Sequence, residues 1–338
     1  MSSTTIVTLL FLSQKLNIYL GIPLILLGVL GGLLSIIVFL SLKTFRQNPC
    51  AFYLIVMSVT NIGQLLTGLL TRVCLYETNV NWSLLSEFYC KFRWYLIYVC
   101  AMISFTCICL ATIDQFLATS SNIQWQRLSN IKSSRCLCFG FILFWILFYI
   151  PILIYYRHVI SPTTGQVSCT LTNSGYQQFI TYGHALILSG FLPIFITILF
   201  GLLAFRNIRQ IPHRLIPLVR RELDKQLTVM VLVQVIFNFT NVAPSSIMGV
   251  YTLAVTTPSD PLNNAVIQLV STLSIIIYYS YFAVKKFILN IQLKNFCLLS
   301  SVHFIFIFVH RNDFVNSYCL YFFGNDAFNN NHINLANP

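Results

Sequence analysis

NIYLGIPLILLGVLGGLLSIIVFLS, residues 17–41, contains no charged side chain and closes against Lys43-Thr44-Phe45-Arg46-Gln47-Asn48-Pro49. The hydrocarbon core of a bilayer takes ~20 apolar residues of helix. A backbone inside it must satisfy its own hydrogen bonds, which makes helix the default there. This stretch therefore reads as a membrane-spanning helix. Outward from it, largely apolar runs recur at about 52–74, 90–117, 136–156, 178–204, 225–251 and 264–284. Charged residues make up 8% of the chain and hydrophobic ones 57%, whereas a soluble domain carries roughly a quarter charged residues. The chain reads as an all-α membrane protein, a seven-transmembrane helix bundle.

The breaks between runs carry turn signals. Asn79-Val80-Asn81-Trp82-Ser83 separates the second from the third, Ser161-Pro162-Thr163-Thr164-Gly165 opens a longer loop, and Pro258-Ser259-Asp260-Pro261 lies between the sixth and seventh. No internal repeat is visible, so the inverted-repeat logic of many transporters finds no support. The net charge of +12 orients the chain. Most of the twenty basic residues fall in loops one, three and five and the start of the tail, among them Lys43, Arg46, Arg127, Lys132, Arg206, Arg214, Arg220, Lys225 and Lys285. Basic loops stay in the cytoplasm. The amino terminus, residues 1–16, is then extracellular, and the charge is no nucleic-acid footprint.

Ile6 to Leu12 is apolar, but no basic segment precedes it and no small-residue cleavage site follows, so the first span is expected to serve as its own insertion signal. Asn81-Trp82-Ser83 is a glycosylation acceptor on the outer side, set against an ordinary polar turn; Asn238-Phe239-Thr240 lies inside a span. Of eleven cysteines, Cys74, Cys90 and Cys169 fall on the outer, oxidising side. A bridge from Cys90, which begins the third span, to Cys169, midway along the next outer loop, would pin that loop across the bundle mouth. Cys74 is a competitor for it. Cys107/Cys109 and Cys136/Cys138 have no accompanying His and face different directions, so they read as small apolar filler rather than metal ligands.

These residues, in this order, resemble the rhodopsin-like G-protein-coupled receptors in a divergent, invertebrate-type form. Cys90 opens the third helix and Asp114 lies at its inner end, while Cys169 matches the family's disulfide partner in the second outer loop. Trp145 followed by Pro151 is similar to the fourth helix, Pro193 to the fifth-helix proline and Pro244 to the sixth-helix proline, both kink positions. Tyr281, with Phe287 beyond it, resembles the end of the seventh helix leading into a short amphipathic eighth helix. The resemblance implies a receptor domain over 17–292 and a cytoplasmic tail over 293–338. It also implies a switch for G-protein coupling at Asp114, Gln115, Phe116 and Tyr281, with a heterotrimeric G protein, an extracellular ligand and the lipid bilayer as partners, and no cofactor.

The departures are chemical. The family's Asp-Arg-Tyr reads Asp114-Gln115-Phe116, so the arginine that locks the inactive state and later meets the G protein is missing. The Asn-Pro before the final tyrosine reads Ile277-Tyr278, the aromatic toggle is Val242, and Gly32-Leu33 stands where the first-helix asparagine would be. Asn61 replaces the sodium-binding aspartate, and a cation in a low-dielectric bundle needs compensating charge. The amine-binding aspartate position of the third helix is Ile97, a candidate ligand contact, and no lysine lies between Val266 and Val284. Amine receptors and retinal-binding opsins are thereby set aside.

Gln234, Asn238 and Asn241 share one face of span six and, with Asn61, form a candidate polar network. Such side chains face the bundle interior and bond across helices, serving either as interhelical glue or in switching. His184 in span five reads as a packing histidine or a ligand contact. The outer rim mixes Arg72, Glu77, Glu87, Lys91 and Arg93 with Trp82, Trp94 and Tyr95, which suits a peptide and also suits interfacial anchoring. The basic loop from Arg206 to Lys225, with Pro212 and Pro217, suits an acidic partner or simply orients the chain. Beyond Asn295 a Phe-, Tyr- and Asn-rich segment includes Cys297, a weak lipidation candidate. Two function classes follow: a receptor acting through a G protein at the plasma membrane, or a polytopic transporter or channel subunit. Transport pathways show ionisable residues within the membrane, and Asp114 is the only acidic one here. No residue set has the spacing of an enzyme's nucleophile or metal site.

Overall fold

The computed structural model describes residues 2–41, 46–78, 86–160, 167–209, 236, 238–252 and 261–283. Six helices among them are long and apolar enough to cross a membrane: Thr4–Ser41, Pro49–Glu77, Glu87–Thr119, Ile131–Tyr155, Ser174–Asn207 and Pro261–Ala283. The described part of the sixth span, 238–252, is also helical. Together they are the seven helices of the bundle. Gln234, the basic loop with Pro212 and Pro217, Asn81, the Pro258 turn, the eighth helix and the tail from 293 to 338 lie outside the described residues.

Asparagine starts several of these helices. The side chains of Asn48, Asn122, Asn130 and Asn173 accept from the backbone N–H of Cys50, Gln124, Lys132 and Tyr176 at 2.8–3.1 Å, satisfying donors that a helix start leaves open. Pro49 at the first helical position needs no such partner. Helices run past the apolar windows: the first begins at Ser2 rather than 17, the fourth at Ile131 rather than 136, and the fifth at Ser174 rather than 178. Hydropathy marks only the hydrocarbon-facing part, whereas helical hydrogen bonding continues through polar flanks.

The third span, Glu87–Thr119, forms the centre. Of its most apolar window 61% is buried, against 22% for the fourth and fifth spans, which present their surface to lipid. It packs on the second and fifth spans, while the first packs along the seventh. Lipid tails are as apolar as leucine, so close backbone approach and interhelical hydrogen bonds hold such a bundle together. Gly28 shows the first: an added Cβ would sit 3.2 Å from the Ala283 Cα. The second includes Ser13 to Thr272 between Oγ and Oγ1 at 2.9 Å, Trp145 Nε1 donating to Thr106 Oγ1 at 2.9 Å, and Tyr95 Oη donating to the Ile146 carbonyl at 2.9 Å.

Two departures from regular helix bear on the site. Leu65–Leu70 in the second span and Phe179–Phe191 in the fifth are π-helical. The latter passes into regular helix at Leu192, next to Pro193, whose missing N–H suits such a junction. The loop after the fourth span is not irregular but a hairpin. Here β1, Tyr156–Ile160, pairs antiparallel with β2, Val167–Leu171, and His158 stands opposite Cys169. The all-α bundle carries this hairpin on its outer side, where the backbone is free of the membrane's demand for helix.

Candidate functional site

The outer end is built around the third span. A disulfide joins Cys90 to Cys169 with Cα atoms 6.0 Å apart, tying β2 to the top of that helix; Cys74 takes no part in the bridge. Below the hairpin lies a stacked aromatic group. Trp94 stacks on Tyr156 at 5.2 Å between ring centroids, Tyr98 stacks on Tyr149 at 5.7 Å, and His184 meets Tyr98 edge-on at 4.8 Å. His184 is buried, and its Nδ1 lies 2.6 Å from Tyr149 Oη. That hydrogen bond satisfies one ring nitrogen and makes His184 a bridge between the fourth and fifth spans. Ile97, half-buried, precedes Tyr98 on the third.

On the other side of the mouth, Arg93 Nε donates to the Thr67 carbonyl at 3.0 Å, inside the π-helical turn of the second span, and its guanidinium rests 5.6 Å over Trp94. Tyr279 reaches this region because position 68 is glycine; an added Cβ there would overlap its ring. At the rim Lys91 and Glu87 form an ion pair at 2.6 Å, one helical turn apart.

In the middle of the bundle, Ser104 Oγ donates to Asn61 Oδ1 at 2.5 Å and Ser280 Oγ to Asn241 Oδ1 at 2.7 Å. Asn61 thus bonds the second span to the third, and Asn241 the sixth to the seventh. Asn238, one turn earlier on the same face, is fully buried with no hydrogen-bond partner for either side-chain atom among the described residues. Tyr281 also belongs to this level. Its ring packs 5.5 Å from Phe105, about two and a half helical turns outward of Asp114. Tyr281 lies two residues before Ala283, the last described residue of the seventh helix. Tyr279, two residues earlier, fits into the gap at Gly68.

A neutral carboxamide already bonded to a hydroxyl gives sodium no counter-charge. Exchanging sodium for choline at constant ionic strength is expected to leave agonist affinity unchanged, whereas Asn61→Asp introduces sodium dependence. A sodium-sensitive native receptor in radioligand competition would contradict this.

At the inner end Asp114 and Gln115 are both buried. Ser129, just beyond the short helix Ile123–Leu128, donates from Oγ to Asp114 Oδ1 at 2.7 Å. Phe116 meets Trp125 of that helix edge-on at 5.4 Å and Phe200 of the fifth span at 5.5 Å. Ser129 and Trp125 escaped the sequence reading. Nothing in a polar loop announces which hydroxyl will turn back to a carboxylate. Pro193 and Pro244 lie within the fifth and sixth helices as the sequence places them, and Cys109 Sγ donates to the Pro193 carbonyl at 3.9 Å.

Residues 31–284 match the family described as 7 transmembrane receptor (rhodopsin family). No curated protein matches the chain.

Proposed function

The chain belongs to the rhodopsin family of seven-transmembrane receptors, and from that premise we propose that it binds an extracellular peptide and signals to a heterotrimeric G protein by shifting an equilibrium between bundle arrangements. It is a multi-pass protein of the plasma membrane, and its family consists of receptors rather than enzymes. Family membership removes the transporter alternative.

The observation that carries the coupling half of this reading is the inner latch. The Asp114 carboxylate is tied to Ser129, and Phe116 is seated against Trp125. Both contacts join the central helix to the second inner loop, so a shift of the third span breaks them together. Ile123, Trp125 and Leu128 stand exposed beside Arg127, an apolar and basic surface suited to a partner with an apolar tip and acidic flank. The peptide half is supported by the mix of Arg72, Glu87, Lys91 and Arg93 with Trp94, which stacks on Tyr156 of the hairpin.

A peptide screen read by G-protein dissociation tests the whole. A saturable response that requires the receptor is expected. A peptide that binds saturably and dissociates no G-protein subtype would refute the coupling. The latch has its own test. Losing one hydrogen bond to the Asp114 carboxylate costs about 1.5 kcal/mol, which is on the order of tenfold in an equilibrium. Ser129→Ala is therefore expected to raise ligand-independent nucleotide exchange by about that factor at matched surface expression; unchanged basal exchange would remove the latch from the mechanism.

A further inference from the structure

Ser129 sits in a two-residue break between helices. The short helix Ile123–Leu128 ends just before it, and Asn130 caps the start of Ile131–Phe148 by accepting from the Lys132 N–H at 3.1 Å. Its own Oγ donates to Asp114 Oδ1 at 2.7 Å, and that carboxylate is buried. Ser129 is half-buried, whereas Arg127, Leu128 and Asn130 around it, and Lys132 and Arg135 beyond it, are exposed. A hydroxyl in a helix break of an inner loop, with exposed cations on both sides, is what a kinase that recognises basic sequence needs. One thing stands in its way. The catalytic aspartate of a kinase must accept the proton of the hydroxyl it modifies, and in Ser129 that proton is already given to Asp114. The latch is therefore also a guard.

We infer that Ser129 is a phosphorylation site for an arginine-directed serine kinase, reached when the latch parts, and that the phosphate keeps the latch from closing again. The inference rests on the latch proposed above and deepens it, since the contact that holds the closed state then also records that it has opened. In the transfer, Ser129 Oγ bonds to the γ-phosphorus of ATP and the bond from that phosphorus to the bridging oxygen breaks. ADP leaves, and the hydroxyl proton passes to the aspartate of the kinase. The product carries about −1.5 to −2 charge at pH 7, and the Oγ proton that Asp114 accepted is gone. Set against a buried carboxylate, this charge is repelled and costly to desolvate. Turned toward solvent, it finds Arg127, Lys132 and the first turn of Ile131–Phe148, where cationic side chains and open backbone N–H groups favour phosphate.

The test measures phosphate incorporation by mass spectrometry on the full-length receptor, with neither agonist nor G protein present. A panel of purified arginine-directed serine kinases is supplied with ATP and Mg²⁺, and a synthetic peptide of residues 122–136 gives the unguarded rate. Ser129 is expected to be modified readily in the peptide and on the order of tenfold more slowly in the native receptor, the factor that a hydrogen bond to a carboxylate implies. Asp114→Ala is expected to recover most of the peptide's rate. Trp125→Ala loosens the other half of the latch at an exposed position and leaves Asp114 in place. It is expected to recover part of the rate, each receptor being compared with a peptide of its own sequence. Hydrogen exchange across 123–130 is expected to quicken by about the same factor once Ser129 carries phosphate. A peptide that no kinase modifies, equal rates for the native receptor and both variants, or exchange unchanged by the phosphate would each overturn the inference. A phosphorylated receptor whose loop opens while its basal nucleotide exchange stays at the native level keeps the inference and removes the coupling proposed above.

Discussion

Replacing Cys90 or Cys169 with serine is expected to remove most ligand binding and surface expression, each to the same extent, with the double substitution adding little. The bridge closes a segment with a sequence separation of 79 residues, and loop-closure entropy for a crosslink of that size comes to about 4 kcal/mol. That is a large part of a domain's net stability, which is typically 5–15 kcal/mol. The loss also has a local side. Cys169 stands opposite His158 in the hairpin, so cutting the bridge frees β2 from the third helix and uncovers the aromatic group below. The measurement is radioligand binding and surface staining for the two single variants and the double. Mass spectrometry finding both thiols unmodified in folded receptor would refute the argument, as would wild-type binding by either single variant.

Gln115→Arg is expected to raise agonist-driven nucleotide exchange on the order of tenfold, since a charge-assisted hydrogen bond contributes about 1.5 kcal/mol. Asp114 presently accepts a hydroxyl bond from Ser129, and its neighbour Gln115 carries no charge. Native coupling is therefore expected to be weak, because nothing at position 115 offers a cation to an incoming G protein. An arginine there finds a counter-charge in Asp114, and its long stem can carry the guanidinium from a buried position toward the inner surface. Exchange measured on a panel of G proteins at matched expression decides it. Strong native coupling that the substitution leaves unchanged would show that glutamine suffices.

What was legible in the sequence followed from the bilayer. A core that excludes water leaves helix as the available backbone solution, so apolar length located the spans and basic loops oriented them. Cysteine placement narrowed the bridge to a few partners for the same reason, since only the outer side is oxidising. Legibility faded wherever one side chain meets another across the bundle. Tyr279 packs into the gap at Gly68, and a contact between distant helices leaves no local trace. The hairpin of β1 and β2 lay in a stretch judged only by its polarity. The Arg93 brace depends on a π-helical turn at Leu65–Leu70, whose composition, Leu-Leu-Thr-Gly-Leu-Leu, reads as ordinary helix.

The first helix has a consequence for where the receptor is at ease. Of its 40 residues, the apolar run 17–41 alone rises ~38 Å, longer than a hydrocarbon core of ~30 Å. Val7 and Phe11, near its outward end, remain exposed. Ser13, bonded to Thr272, prevents it from sliding freely past the seventh span. A helix that overshoots its solvent must tilt, thicken the lipid around it or leave apolar surface in water, at a fraction of a kcal/mol per Å of mismatch. Thick, sterol-rich membrane relieves this and thin membrane aggravates it. Bilayer thickness thus acts on the Ser13–Thr272 contact, and through it on the helix that carries Tyr279, so that the lipid itself becomes a variable in both sorting and response.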